Sequence, residues 1–236
     1  MNYAVDVVQV SEPADIATAI EGFVPNILVL SGHGRLCGAR SAQIVVGSSS
    51  IIGTEVGIVP PLVFLSACHT APRGTGSINI ADVLLHRGAV AVIASQILIS
   101  AERNSRLMQL FFRDLVAATR SPRYDATILD VWYGAMVRNV TTDIVSSSKK
   151  LLAWADSVRF GERTLEEEIQ ARGDRIRTGA AYEDVLAVLF ELADSSGFGS
   201  QCRGTISSQW FFPESMFYQL LGRPERLRIG VGVNQG

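Results

Sequence analysis

Asn26-Ile-Leu-Val-Leu-Ser-Gly-His-Gly34 and Leu62-Val-Phe-Leu-Ser-Ala-Cys-His-Thr70 are the stretches whose reading decides the fold. Each is a continuous apolar run that ends in small and reactive residues. Such a run is the pattern of a strand covered on both faces, as in a parallel sheet with helices on either side. Ala89-Val-Ala-Val-Ile-Ala94 is a third run of the same kind. Between the last two, Ile80, Val83 and Leu84 define a helix with Asn79 as N-cap and Gly88 just past its end. Upstream, Tyr3 to Val10 predicts a strand. A helix then opens at Ser11 or Glu12, with Pro13 in its first turn and Ile16, Ala19, Ile20 and Phe23 on one face, and it closes near Gly22. Gln43 to Val46 and Ser50 to Ile52 predict a hairpin through Gly47. Downstream, Leu107, Leu110, Phe111, Leu115 and Ala118 mark a long helix capped by Ser100. Leu129, Trp132, Tyr133 and Met136 mark another, and Tyr182, Val185, Leu186, Leu189, Phe190 and Ala193 mark a third. Strands alternating with helices of this size give an α/β fold with parallel βαβ units and a mostly parallel central sheet flanked by helices.

The 236 residues are 47% apolar and 19% charged, with a formal net charge of −2 and a mean hydropathy of +0.24. That balance describes a chain with a substantial core and excludes disorder, collagen and a nucleic-acid surface built from bulk positive charge. No apolar run is long enough to span a bilayer, since Val56 to Leu65 is broken by Pro60-Pro61. The first residues lack a basic region followed by an apolar stretch, so no secretory signal is expected. Three scattered cysteines, Cys37, Cys68 and Cys202, fit free thiols in a reducing, cytoplasmic compartment. Charge is uneven along the chain. Between Asn26 and Ala101 only Arg35, Arg40, Glu55, Arg73, Asp82 and Arg87 are charged, whereas ten of the 19 residues from Arg159 to Arg177 are. The first region is the expected buried sheet. The second belongs to a charged helical and loop insertion around residues 145–205, whose plain reading is a solvated helix and turn.

In open parallel sheets reactive groups collect beyond the carboxyl ends of the strands. Two strands here run into Ser31-Gly32-His33-Gly34-Arg35 and Ser66-Ala67-Cys68-His69-Thr70. Adjacent strands lie about 4.8 Å apart, so an imidazole from one end and a thiol from the next come within reach of each other. His33 and Cys68 are therefore the candidate base and nucleophile. The amides of Gly34 and Cys68 are the candidate oxyanion hole, since glycines on both sides of His33 let the backbone approach a carbonyl closely. Ser66, His69, Ser95, Gln96 and Glu102 are expected around the substrate cleft, with His69 as a wall residue. The segment Ala71 to Ser77 is expected to border it as a glycine-rich loop. Taken singly, His33 reads as a loop histidine and Cys68 as a small buried hydrophobe; their placement at two strand ends lifts the pair. No metal site and no cofactor are expected. His33 and Cys37 have no companion ligands, and neither a Walker lysine nor a G-x-G-x-x-G follows a strand. His86 falls in the last turn of a helix and is given no chemical role.

These residues resemble the CHAT family, caspase-like cysteine peptidases of the clan that holds caspases, separase and gingipain. The histidine motif, an apolar strand ending in S/A-G-H-G, is matched by Ile27 to Gly34. The cysteine motif L-S-A-C-x-T is matched by Leu65 to Thr70. Gly88 to Ile93 matches G-A-x-x-V-I, Phe111-Phe112 stands for an F-Y pair, and Trp210 to Gly222 is a loose echo of a closing motif. The resemblance implies one caspase-like layered domain over residues 1–236. It implies a cysteine endopeptidase in which Cys68 attacks a peptide carbonyl, His33 is the general acid and base, and the Gly34 and Cys68 amides bind the oxyanion. It also implies a protein or peptide substrate, a separate activating or sensor protein, and a role in bacterial defence. The chain departs from the family at Ile97-Leu98-Ile99-Ser100-Ala101, where many members carry W-x-V-D-D, so a basic P1 preference does not carry over. Were P1 basic, Arg172, Arg175 or Arg177 would be self-cleavage sites. Two alternatives stay open: a catalytically silent interaction or regulatory module, and another acyl-transfer hydrolase using the same dyad.

Overall fold

A computed structural model describes residues 4–37, 41–72, 79–120, 125–176, 181–207 and 213–229. Two compact units share the chain. The first comprises residues 1–104, 117–129 and 217–236, and the second residues 105–116 and 130–216.

The first unit is built on a mixed four-stranded sheet. Its strands are β1 (Ile27–Ser31), β5 (Leu62–Ser66), β6 (Ala91–Ser95) and β7 (Tyr218–Gly222), in the order β1-β5-β6-β7. β1, β5 and β6 are parallel and β7 is antiparallel to β6, so the sheet is mostly parallel, as a caspase-like fold requires. The apolar runs account for β5 and β6, every residue of which is buried. Between β1 and β5 the chain makes a second, antiparallel sheet from β2 (His33–Cys37), β3 (Ser41–Val46) and β4 (Ser49–Ile51), in the order β2-β3-β4. The predicted hairpin is β3–β4, turning at Gly47 with φ +57°.

Helix α1 (Pro13–Phe23) starts at Glu12, whose backbone N–H donates to the Asp15 side chain at 2.8 Å while Asp15 N–H donates to the Glu12 carbonyl at 3.1 Å. It runs one residue past Gly22 and ends with Val24 in the left-handed region at φ 48°. Helix α2 (Ile80–His86) starts where the sequence places it, with the Asn79 side chain accepting from Asp82 N–H at 2.8 Å. Ile16 and Ile20 of α1 and Ile80, Ala81 and Leu84 of α2 share one core with Val63 and Leu65 of β5 and Val92 and Ala94 of β6. His86, in the last turn of α2, bonds the Asp82 carbonyl. The expected strand at Tyr3 to Val10 does not form: Ala4 to Val10 carry no secondary structure, and Val5 and Val7 are 81% and 89% exposed. Alternating valines supply propensity, but a strand needs a hydrogen-bonded neighbour, and no described residue provides one.

Helix α3 (Ala101–Arg120) begins beyond Ser100, whose hydroxyl accepts from Arg103 N–H, and helix α4 (Ile128–Ser146) follows; each contributes residues to both units. Within the second unit lie α5 (Lys149–Ser157), α6 (Leu165–Ala171), α7 (Ala181–Ser195) and α8 (Gly199–Ser207). The charged stretch is a surface helix: α6 opens with a capping box between Thr164 and Glu167, and a 3-10 turn follows at Gly173–Arg175. Its guanidiniums are tied back, with Arg172 on Glu168 and Glu191, and Arg175 on Glu191 in a two-point pair. Arg177 lies outside the described residues. Asp143 is 1% exposed, pairs with Arg106 and accepts from Ser215 N–H at 3.1 Å. No described helix is long and apolar enough to cross a membrane.

Candidate functional site

The register of β1 on β5 builds the site. Ser31 stands opposite Ser66, so Gly32-His33 and Ala67-Cys68 leave the sheet side by side. Gly32 N–H still donates to the Ser66 carbonyl, at 3.3 Å. Beyond β5 the chain makes a tight turn latched to the segment after β6. Ala71 N–H donates to the Ser95 carbonyl, Ser95 N–H to Thr70 Oγ1, and His69 N–H to the Ile97 carbonyl. Ser95 Oγ donates to the carbonyls of Ala67 and Ile97. His69 sits in the left-handed region at φ 52°, a conformation uncommon outside glycine, asparagine and aspartate. That turn raises Cys68 out of the strand line.

β2 then folds across the cysteine. A Cβ added at Gly34 would stand 1.6 Å from the Cys68 carbonyl oxygen, 2.6 Å from its carbonyl carbon and 2.9 Å from its amide nitrogen. Only a residue without a side chain lets the backbone after His33 lie on the backbone of Cys68. Both His33 and Cys68 therefore belong to one small region of the first unit, as the two strand-end motifs imply. The Cys68 N–H has no hydrogen-bond acceptor among the described residues.

The thiol is not bonded to the imidazole. Cys68 Sγ accepts from Ile99 N–H at 3.4 Å and donates to the Ile99 carbonyl at 3.7 Å. His33 is exposed and its ring makes no hydrogen bond among the described residues. Segment 97–99 thus lies beside the Cys68 thiol, and Leu98 at its tip is 68% exposed. His69 turns toward the same segment, its Nδ1 3.4 Å from the Gln96 carbonyl, a spacing that asks for the tautomer with hydrogen on Nδ1. Gln96 reaches His69 through that carbonyl, whereas Glu102 is exposed in the first turn of α3.

Ser66 and Ser95 are placed differently. Both are buried and their hydroxyls point into the strand ends, so they brace the site from beneath. Ser66 Oγ accepts from Asn104 Nδ2 at 2.6 Å and lies 3.4 Å from Ser31 Oγ, and Tyr218 OH donates to Asn104 Oδ1 at 3.4 Å. Sequence reasoning missed Asn104, Tyr218 and Ile99. Tyr218 stands in the mostly apolar run Met216 to Leu221, a signal available in principle; Asn104 lies in the polar stretch Ser100 to Arg106 and Ile99 acts through its backbone, so neither gives one. Cys37 donates to Gln43 Oε1, and Cys202 is fully buried with its thiol pushed up to about 11 by desolvation. No group of three or more potential metal ligands occurs among the described residues. The bordering segment predicted at Ala71 to Ser77 falls largely outside the described residues, as does Trp210.

Two comparisons with known proteins bear on this geometry. The family described as CHAT domain matches residues 14–159, a span that holds both β1 and β5 and the turns beyond them. No curated protein matches the chain.

Proposed function

This chain belongs to the CHAT domain family, and from that premise we propose that it is a cysteine endopeptidase with Cys68 as nucleophile and His33 as general acid and base. The observation that carries the proposal is the seating of Gly34 on the backbone of Cys68, which supports a dyad assembled from two strand ends. In the reaction the Cys68 thiol passes its proton to His33, and Sγ bonds to the peptide carbonyl carbon. The oxyanion lies toward the Cys68 and Gly34 amides. The C–N bond then breaks as His33 delivers the proton to the leaving amine, giving a thioester. Water loses a proton to His33, attacks the same carbon and releases the acid and the thiol. No cofactor enters this scheme.

Before the first step the thiol has to turn from Ile99 toward His33. That requirement supports activation by a partner or sensor protein that shifts segment 97–99. A cytoplasmic setting suits a chain with three free thiols, and a defence role is part of the proposal on family resemblance alone. The second reading is a silent interaction module, and the thiol bonded to Ile99 is the observation that favours it. A peptide library profiled with wild type, Cys68→Ala and His33→Ala, with and without candidate partners, separates the two. Cleavage by wild type that both variants lose supports the peptidase. Cleavage that survives Cys68→Ala refutes it, and a Cys68 that alkylates no faster than a model thiol under every condition favours the module.

A further inference from the structure

Among the described residues β1 is an edge strand with no covering strand on its outer side. Among the described residues it pairs with β5 alone. Asn26 C=O accepts from Leu62 N–H and Gly32 N–H donates to Ser66 C=O, so the even-numbered residues turn their backbone groups to β5. In a parallel ladder alternate residues address opposite neighbours. The N–H and C=O groups of Ile27, Val29 and Ser31 therefore face outward. The strand is as apolar as β5 and β6, yet Ile27 to Leu30 are only half-buried and Ser31 is exposed, where every residue of those two strands is buried. Sheet edges are normally blunted by charge, proline, a bulge or a covering element, because an open apolar edge templates another strand. Ile27-Leu-Val-Leu-Ser31 has no charge and no proline.

The same unit carries a segment with a strand's sequence pattern and no secondary structure. Ala4-Val-Asp-Val-Val-Gln-Val10 has four valines in seven residues, and Val5, Val7 and Val8 are 81%, 89% and 50% exposed. Phe23 and Val24, just before β1, are exposed as well. Seven extended residues span about 23 Å and the five of β1 about 17 Å, so the segment is long enough to cover the edge. Asp6 is its only charge, and β1 offers none to oppose it.

We propose that two copies of this chain associate by strand addition, residues 4–10 of each pairing with the outward edge of β1 on the other. Reciprocal exchange involves about twelve residues on each copy, roughly half the 20–30 a side of a standard stable interface. The pairing is correspondingly a concentration-dependent dimer with a Kd on the order of micromolar, not a permanent one. It is independent of the chemistry assigned to Cys68.

Sedimentation equilibrium of the full chain from about 1 to 200 μM tests it. The dimer fraction is expected to rise across that range. Val29→Pro removes one outward N–H and no bond to β5, a position where edge strands accept proline, and abolishes the dimer. Val5→Lys/Val7→Lys changes two side chains already in solvent, so it leaves the fold intact and also abolishes the dimer. An equimolar mixture of the two variants retains one intact tail and one intact edge and forms a weaker dimer. A chain that stays monomeric throughout, including one whose edge is reserved for a different polypeptide, overturns the proposal. So does a dimer that survives both variants.

Discussion

Gly34→Ala is the sharpest perturbation of the site, because its cost comes from one contact. Gly34 does not hold a positive φ, so alanine is admissible in its backbone conformation. The added methyl, however, would lie 1.6 Å from the Cys68 carbonyl oxygen and has to retreat by about 1.4 Å to reach the 3.0 Å that real Cβ contacts respect. Neither side of that contact is a flexible side chain: one is strand β2, paired to β3, and the other is the turn latched to Ser95 and Ile97. Overpacking of this kind costs about 1–3 kcal/mol. At ~2–4 °C per kcal/mol for a chain of this size, the melting temperature falls by roughly 2–12 °C. The displacement also parts the residue after His33 from Cys68, and misplacement of about 1 Å costs on the order of 100-fold in rate. Thermal melts and labelling by a peptidyl thiol-directed inhibitor measure the two effects separately. Gly22→Ala is the control, since a Cβ there meets nothing within 4 Å. A Gly34→Ala protein that melts with wild type and labels at the wild-type rate would refute the close seating of β2 on Cys68.

Two further outcomes follow from groups away from the site. Burial holds the Cys202 thiol protonated up to about 11, above the ordinary 9.0, so the unfolded chain ionises there first as pH rises. The stability Cys202 contributes is full below pH 9 and lost between about 9 and 11. Cys202→Ala should flatten that limb of a pH-dependent denaturation curve, and an unchanged limb would count against the assignment. Asp143→Ala strands the buried Ser215 N–H and removes the carboxylate from Arg106, a loss of about 3 kcal/mol readable by urea titration. A loss below about 0.5 kcal/mol would place that pair among surface bridges of little consequence.

What the sequence disclosed depended on whether a signal was local. β5 and β6 were legible because a strand covered on both faces must be apolar throughout. The start of α2 was legible because the Asn79 side chain satisfies a donor three residues away. β1 is as apolar as β5 but not as buried, since burial depends on whether a neighbour exists, and composition does not report that. Residues 4–10 make the converse case, a strand pattern without a pairing partner. β2 was hidden by its own chemistry: Gly-His-Gly reads as a loop, and it becomes a strand through pairing with β3, which packs its own alternate residues into the core. The residues of the proposed dyad, His33 and Cys68, were visible as motif ends, whereas the state of the thiol was not. Ile99 reaches Cys68 from 31 residues away through backbone atoms that every residue shares.

That thiol contact limits what any activator can achieve through it. A long S–H donor and a single accepted N–H are together worth about 1 kcal/mol net against solvent, at the low end of ordinary hydrogen bonds. A thiol held by that much is free in roughly one molecule in six, so displacing segment 97–99 raises the reactive population about sixfold and no further. Activation of a hundredfold or more has to alter something costlier, and within the described site the costlier element is the seating of β2 on Cys68. The position of His33 depends on that seating. On the proposed peptidase reading, a strong activator would therefore act on strand β2 and its partners β3 and β4. Under such an activator, protection of the β2–β3 amides against hydrogen exchange should change together with cleavage rate; if only the amides of 97–99 respond, the strong gain in rate has no source in the dyad.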